Sequence, residues 1–96
     1  MEIDKIIHEP ARLRIMMILA GLEQADFNFL VGTLSLTRGN LNSHIEKLES
    51  AGYIKVKRSF KGKVRNTSYQ LTREGSKALA QYWENIDALR RSGQPY

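Results

Sequence analysis

Residues 37–52 read TRGNLNSHIEKLESAG, and residues 53–71 read YIKVKRSFKGKVRNTSYQL. In the first stretch Leu41, Ile45 and Leu48 recur at helical spacing and form one apolar stripe. Thr37 is a helix-capping residue type, because its hydroxyl can accept an otherwise unpaired N–H of the first turn. Gly52 is a natural stop. The second stretch alternates. Ile54, Val56, Arg58 and Phe60 fall on one face of a strand, with Lys55, Lys57 and Ser59 on the other. Thr67, Tyr69 and Leu71 alternate with Ser68 and Gln70 in a return strand. The tip between them runs from Phe60 to Asn66 around Gly62.

Working outward, the preceding residues supply two more helices. Ile3, Ile6 and Ile7 make a short helical start. Pro10 suits the first turn of a helix, where its missing N–H costs nothing. Leu13, Met16, Met17 and Ala20 then recur at helical spacing, widened by Ile15, Ile18 and Leu19, and predict a helix from about Pro10 to Ala20. Asp26 caps a second helix with the stripe Phe27, Leu30, Val31 and Leu34. Phe29 lies off that stripe, facing a partner. Ser35 and Leu36 make the tight turn into the Thr37 helix. Beyond the hairpin, Thr72 caps a final helix of about 20 residues, and residues 92–96 are expected to fray. The order is three helices, two strands and a helix. The expected fold is mainly α with a β-hairpin wing: a winged helix-turn-helix, one domain over residues 1–96. Its core covers about 10–72 and its long C-terminal helix about 72–91.

The charge is concentrated. Seven of the fifteen basic residues, and none of the ten acidic ones, lie between Ser50 and Arg73. Elsewhere acids outnumber bases, so the net charge of +5 belongs to the hairpin region. Such a patch attracts a polyanion. There are no cysteines, which excludes disulfides and thiolate chemistry and fits a reducing cytoplasm. The two histidines alone make a poor metal site. His8 is isolated, and His44, beside the inner stripe, reads as a packed structural residue. No cofactor, metal or membrane is expected. Catalysis would need a nucleophile–base pair, a metal site or a glycine-rich phosphate cradle, and none stands at workable spacing.

Three segments in this order resemble the winged helix-turn-helix transcriptional regulators, broadly the MarR/ArsR-like group, and within it the small single-domain regulators. They are residues 26–30, residues 39–54 and residues 67–75. The resemblance spans roughly Pro10 to Trp83 and implies a dimeric DNA-binding transcriptional regulator. The wing tip departs from the MarR pattern in lacking an Asp-Arg-Arg run. The Cys/His metal sites of ArsR sensors are also missing.

The expected partners are double-stranded DNA and a second copy of the chain, the function that of a repressor on a palindromic site. A recognition helix reads bases from its first turns, which places Arg38, Asn40, Asn42 and Ser43 at the major groove. Thr37, Gly39 and Lys47 flank them, with Thr37 and the first-turn N–H groups suited to a phosphate. The wing expectation comprises Lys57, Arg58, Lys61, Gly62, Lys63 and Arg65, on the backbone or in the minor groove. In the last helix Gly75, Leu79, Tyr82, Ile86 and Leu89 are spaced as a heptad seam. With Trp83, and with Ile3, Ile6 and Ile7, that seam is expected to form the dimer contact. A small-molecule effector is left open, at the dimer interface or near Phe29, Tyr82 and Trp83. The alternative is a winged-helix module that binds RNA or another protein.

Overall fold

The computed structural model describes residues 2–93. Helices α1 (Pro10–Gly21), α2 (Phe27–Leu34), α3 (Arg38–Ser50) and α4 (Arg73–Ser92) surround a sheet of β1 (Ala25–Asp26), β2 (Ile54–Lys61) and β3 (Val64–Leu71). Every helix begins on a side-chain oxygen that accepts a first-turn N–H. Glu9 accepts from Arg12 at 2.8 Å, Asp26 from Phe29 at 2.8 Å, Thr37 from Asn40 at 3.0 Å and Thr72 from Gly75 at 2.9 Å. These bonds satisfy donors that the helix itself leaves unpaired.

The sheet is antiparallel in the order β1-β3-β2. β2 and β3 pair in register from Ile54↔Leu71 at the base to Lys61↔Val64 at the tip. Gly62, with φ 64°, opens the two-residue turn between them, as the hairpin geometry with glycine first requires. A third strand was not expected. Ala25 and Asp26 are already extended where Asp26 caps α2, and they lie against Tyr69 and Ser68 at the base of the hairpin. Two residues are too few to show a period.

The core lies where α1, α2, α3, the hairpin base and the first half of α4 meet. Ile15, Met16 and Leu19 come from α1, Leu30 and Leu34 from α2, and Leu41, Ile45 and Leu48 from α3; Ile54 and Tyr69 come from the hairpin. Ile7, Leu79 and Tyr82 belong to the same cluster, which corrects their expected place at a dimer contact. The heptad spacing is real, but its first half faces the chain's own core. Ile3, Ile6 and Ile86 are half-buried against that core, Leu89 is half-buried and Trp83 is exposed. His8 is not isolated either, since its Nδ1 lies 2.7 Å from the Tyr82 hydroxyl. Ser92 closes α4 and Gly93 caps it; the rest of the expected frayed end lies outside the described residues.

Candidate nucleic-acid interface

Burial of Leu41, Ile45 and Leu48 turns the other side of α3 outward. Arg38, Gly39, Asn40, Asn42, Ser43, Glu46 and Lys47 are all exposed, as is the cap residue Thr37. Three of the helix side chains are held. The Asn42 amide donates to Glu46 Oε1 at 3.2 Å along the helix. Arg38 donates to Asn28 Oδ1 of α2 at 2.8 Å, and its guanidinium sits 4.7 Å from the centroid of the Phe27 ring. Lys47 stands apart, in a shallow groove with Ile6, Ser50 and Ala51.

The strand pleat sorts the wing cations onto two faces. Residues directly opposite in an antiparallel pair share a face. Arg58 pairs with Thr67 and Phe60 with Arg65, whereas Lys57 pairs with Ser68 and Lys61 with Val64. Arg58 and Arg65 line a hollow of about 290 Å³ together with Arg38 and Asn42 of α3. Lys61 is on the reverse face, where its ammonium lies 3.6 Å from the Asp26 carboxylate. Lys63 is in the turn itself. The structure thus brings Arg38, Asn42, Arg58 and Arg65 together, and leaves Lys57 and Lys61 on the other side of the wing.

Behind α3 is a buried charge that sequence reasoning missed. Arg12 is only 8% exposed. Its guanidinium donates to the Ile6 carbonyl at 2.6 Å and the Lys5 carbonyl at 3.5 Å, and contacts His44 Nδ1 at 3.2 Å. A guanidinium only donates, so this Nδ1 is the acceptor. The Glu9 carboxylate lies 3.9 Å from the same nitrogen. Burial works to raise the Glu9 pKa, but the backbone N–H bonds of Arg12 and Ala11 and the Arg12 charge outweigh it and hold the carboxyl below its usual value. The cluster ties the N-terminal segment to the inner side of α3. The signal was present in sequence: Arg12 falls on the α1 stripe with Ile15, Met16 and Leu19. Among the described residues no group of three His, Cys, Asp or Glu could hold a metal, and no helix is long and apolar enough to cross a membrane.

A capped helix presenting a polar face, beside a hairpin with guanidiniums turned toward it, defines a winged-helix DNA-binding module. The chain belongs to the winged helix DNA-binding domain family, whose model matches residues 11–90. It is 40% identical over 89 residues to the uncharacterized protein MJ0432 of Methanocaldococcus jannaschii, covering 92% of this chain and 96% of that one. The structure of a transcriptional regulator homologue from Pyrococcus horikoshii superposes with a TM-score of 0.83 at 30% identity, covering 91% of this chain and 86% of that one. PadR of Bacillus subtilis, solved in complex with operator DNA, superposes with a TM-score of 0.64 at 17% identity over 72% of this chain and 44% of its own. Its likeness concerns the fold. The family is one of DNA-binding transcriptional regulators.

Proposed function

We propose that the chain is a cytoplasmic transcriptional repressor that binds a palindromic duplex site as a homodimer. Asn40, Asn42 and Ser43 of α3 read base edges in the major groove. Thr37 and the first-turn N–H groups take a phosphate, and the wing holds the backbone or the minor groove. The observation that carries this reading is the shared hollow of Arg38, Asn42, Arg58 and Arg65. It makes helix and wing one continuous, cationic, exposed surface. Asn can meet adenine bidentately, and guanidiniums fit phosphate geometry. PadR, of the same fold, is a protein solved with operator DNA.

A two-fold dimer would set two copies of α3 about one DNA turn apart. Support for it comes from the outer half of α4, where Trp83 is exposed and Leu89 lines an open groove of about 980 Å³ against the N-terminal segment. An effector, if the regulator has one, has room in that same groove beside Tyr82. The test is selection of genomic fragments by the purified protein, followed by mobility shifts with the selected duplex, its scrambled version and the matching RNA. The expected result is preference for an inverted repeat that survives raised salt. Equal or stronger binding to the RNA would replace this function with the RNA-binding alternative.

A further inference from the structure

The hollow between α2, α3 and the wing holds three guanidiniums, and among the described residues no carboxylate lines it. Among the described residues Arg38, Arg58 and Arg65 form no ion pair. Three like charges converging without a counter-ion repel one another, and the arrangement is relieved when an anion enters. Asn66 and Thr67 also border the same space, adding neutral polar residues.

Arg38 does not extend from the crest of α3. Asn28 and the Phe27 ring draw its side chain back over α2. A bidentate contact to guanine needs the guanidinium to reach into the groove ahead of the helix. A phosphate contact needs it at the flank, beside other cations. We propose that this hollow is a binding site for one backbone phosphodiester, and that Arg38 is a phosphate clamp and not a base reader. Phe27 and Asn28 are its positioning residues. They fix the guanidinium before the anion arrives, so less side-chain freedom is lost on binding. The proposal rests on the DNA-binding reading above for the source of the phosphate.

The experiment measures affinity for the selected duplex, and for the same duplex with each base pair changed in turn, across a series of KCl concentrations. Arg38→Ala should weaken binding to every duplex alike, about ten- to a hundredfold, and make the log–log salt dependence shallower by about 0.9. Asn28→Asp should weaken binding at least as much, because its carboxylate would pair with Arg38 and sit where the phosphate belongs. Asn28→Ala keeps the charge and should lower affinity with the salt slope retained. Thermal melts confirm that each variant folds. Arg38→Ala relaxing preference at one base pair, with the salt slope unchanged, would overturn the assignment.

A second measurement separates the two proposals. The Arg Nε–H resonances of the free protein are followed as inorganic phosphate replaces chloride at constant ionic strength. Shifts at Arg38, Arg58 and Arg65 keep the anion site even where no duplex binds, in which case the regulator reading alone fails. No shift at these three, with the Arg38→Ala salt slope unchanged, removes the site.

Discussion

The backbone carbonyl of Tyr53 stands where a side chain on Gly75 would begin. A Cβ there would overlap the carbonyl oxygen and meet its carbon at 2.8 Å. The approach is fixed on both sides. Thr72 donates its N–H to the Tyr53 carbonyl at 3.0 Å and its hydroxyl to the Gly52 carbonyl at 2.6 Å. The first turn of α4 is thereby clamped to the end of α3. Gly75→Ala should destabilise the fold by about 3 kcal/mol, the upper range for overpacking, because backbone and not a pliable side chain is in the way. Urea unfolding measures it. A cost below about 1 kcal/mol would show that the contact can relax.

Gly39 is the opposite case. It lies in the first turn of α3, nothing is within 4 Å of a Cβ there, and no left-handed φ demands glycine. Gly39→Ala should therefore stabilise the free protein by about 0.5 kcal/mol, mainly by restricting the unfolded chain. If DNA approaches this backbone closely, the same methyl group should weaken duplex binding. The expected pair of results is a raised Tm with a lowered affinity. Unchanged affinity would mean that the duplex does not come close at this turn.

The division of wing cations makes a sharper claim than charge alone. Arg58 and Arg65 share the face that meets α3, while Lys57 and Lys61 lie behind it. Arg58→Ala and Arg65→Ala should each weaken duplex binding across all sequences and flatten the salt dependence by about 0.9. Lys57→Ala and Lys61→Ala should leave affinity near that of the parent chain, since Lys61 is turned to Asp26. Fluorescence anisotropy over a KCl series reads all four. Equal losses from both faces would mean that the duplex wraps the wing.

Tyr53 also titrates abnormally. Its hydroxyl donates to the Asp4 carboxylate, and this bond, then burial, then the Asp4 charge push its pKa up to about 12. The unfolded chain releases that proton near its usual value of 10. Below pH 10 the contribution to stability is complete. Between pH 10 and about 12 the folded chain still holds a proton that the unfolded chain has lost, so stability falls as pH rises. Tyr53→Phe should be less stable at neutral pH and should lack this part of the alkaline loss. Denaturant unfolding of both proteins from pH 8 to 12 checks it, and parallel curves would exclude Tyr53 as the cause.

What the sequence made legible was local. The α3 stripe, the caps Asp26, Thr37 and Thr72, and the alternation of the hairpin each follow from neighbours within a few positions. Periodicity tells which side of an element is apolar, but not what covers it. For that reason Leu79 and Tyr82 read as a seam between copies when they face their own core. The same limit grouped Lys61 with Arg65, because no local pattern says which side of a hairpin looks toward α3. The Phe27, Asn28 and Arg38 cluster depends on how α2 crosses α3, a relation with no signature in either helix alone. Arg12 differed, since a charge inside an apolar stripe announces a buried partner in sequence.

The part of the heptad spacing left for the proposed dimer contact is short. α4 has 20 residues and is about 30 Å long, and its buried positions Gly75, Leu79 and Tyr82 all lie in its first half. Past them, Trp83 is 42% exposed and meets Tyr82 edge-on at 5.2 Å, while Ile86 and Leu89 are only half-buried. An indole left that open, on the same outer half of α4 as these two aliphatic residues, gains by being covered in the proposed dimer. Leu89→Glu would place a charge in that contact while leaving the core residues intact. It should sediment as a monomer at concentrations where the parent chain is a dimer, with unchanged far-UV circular dichroism. Binding to a single half-site should persist. Affinity for the full inverted repeat should fall about a hundredfold, because the second contact is no longer intramolecular. A parent chain that sediments as a monomer at micromolar concentration, or a Leu89→Glu variant that remains a dimer, would remove this part of α4 from the interface.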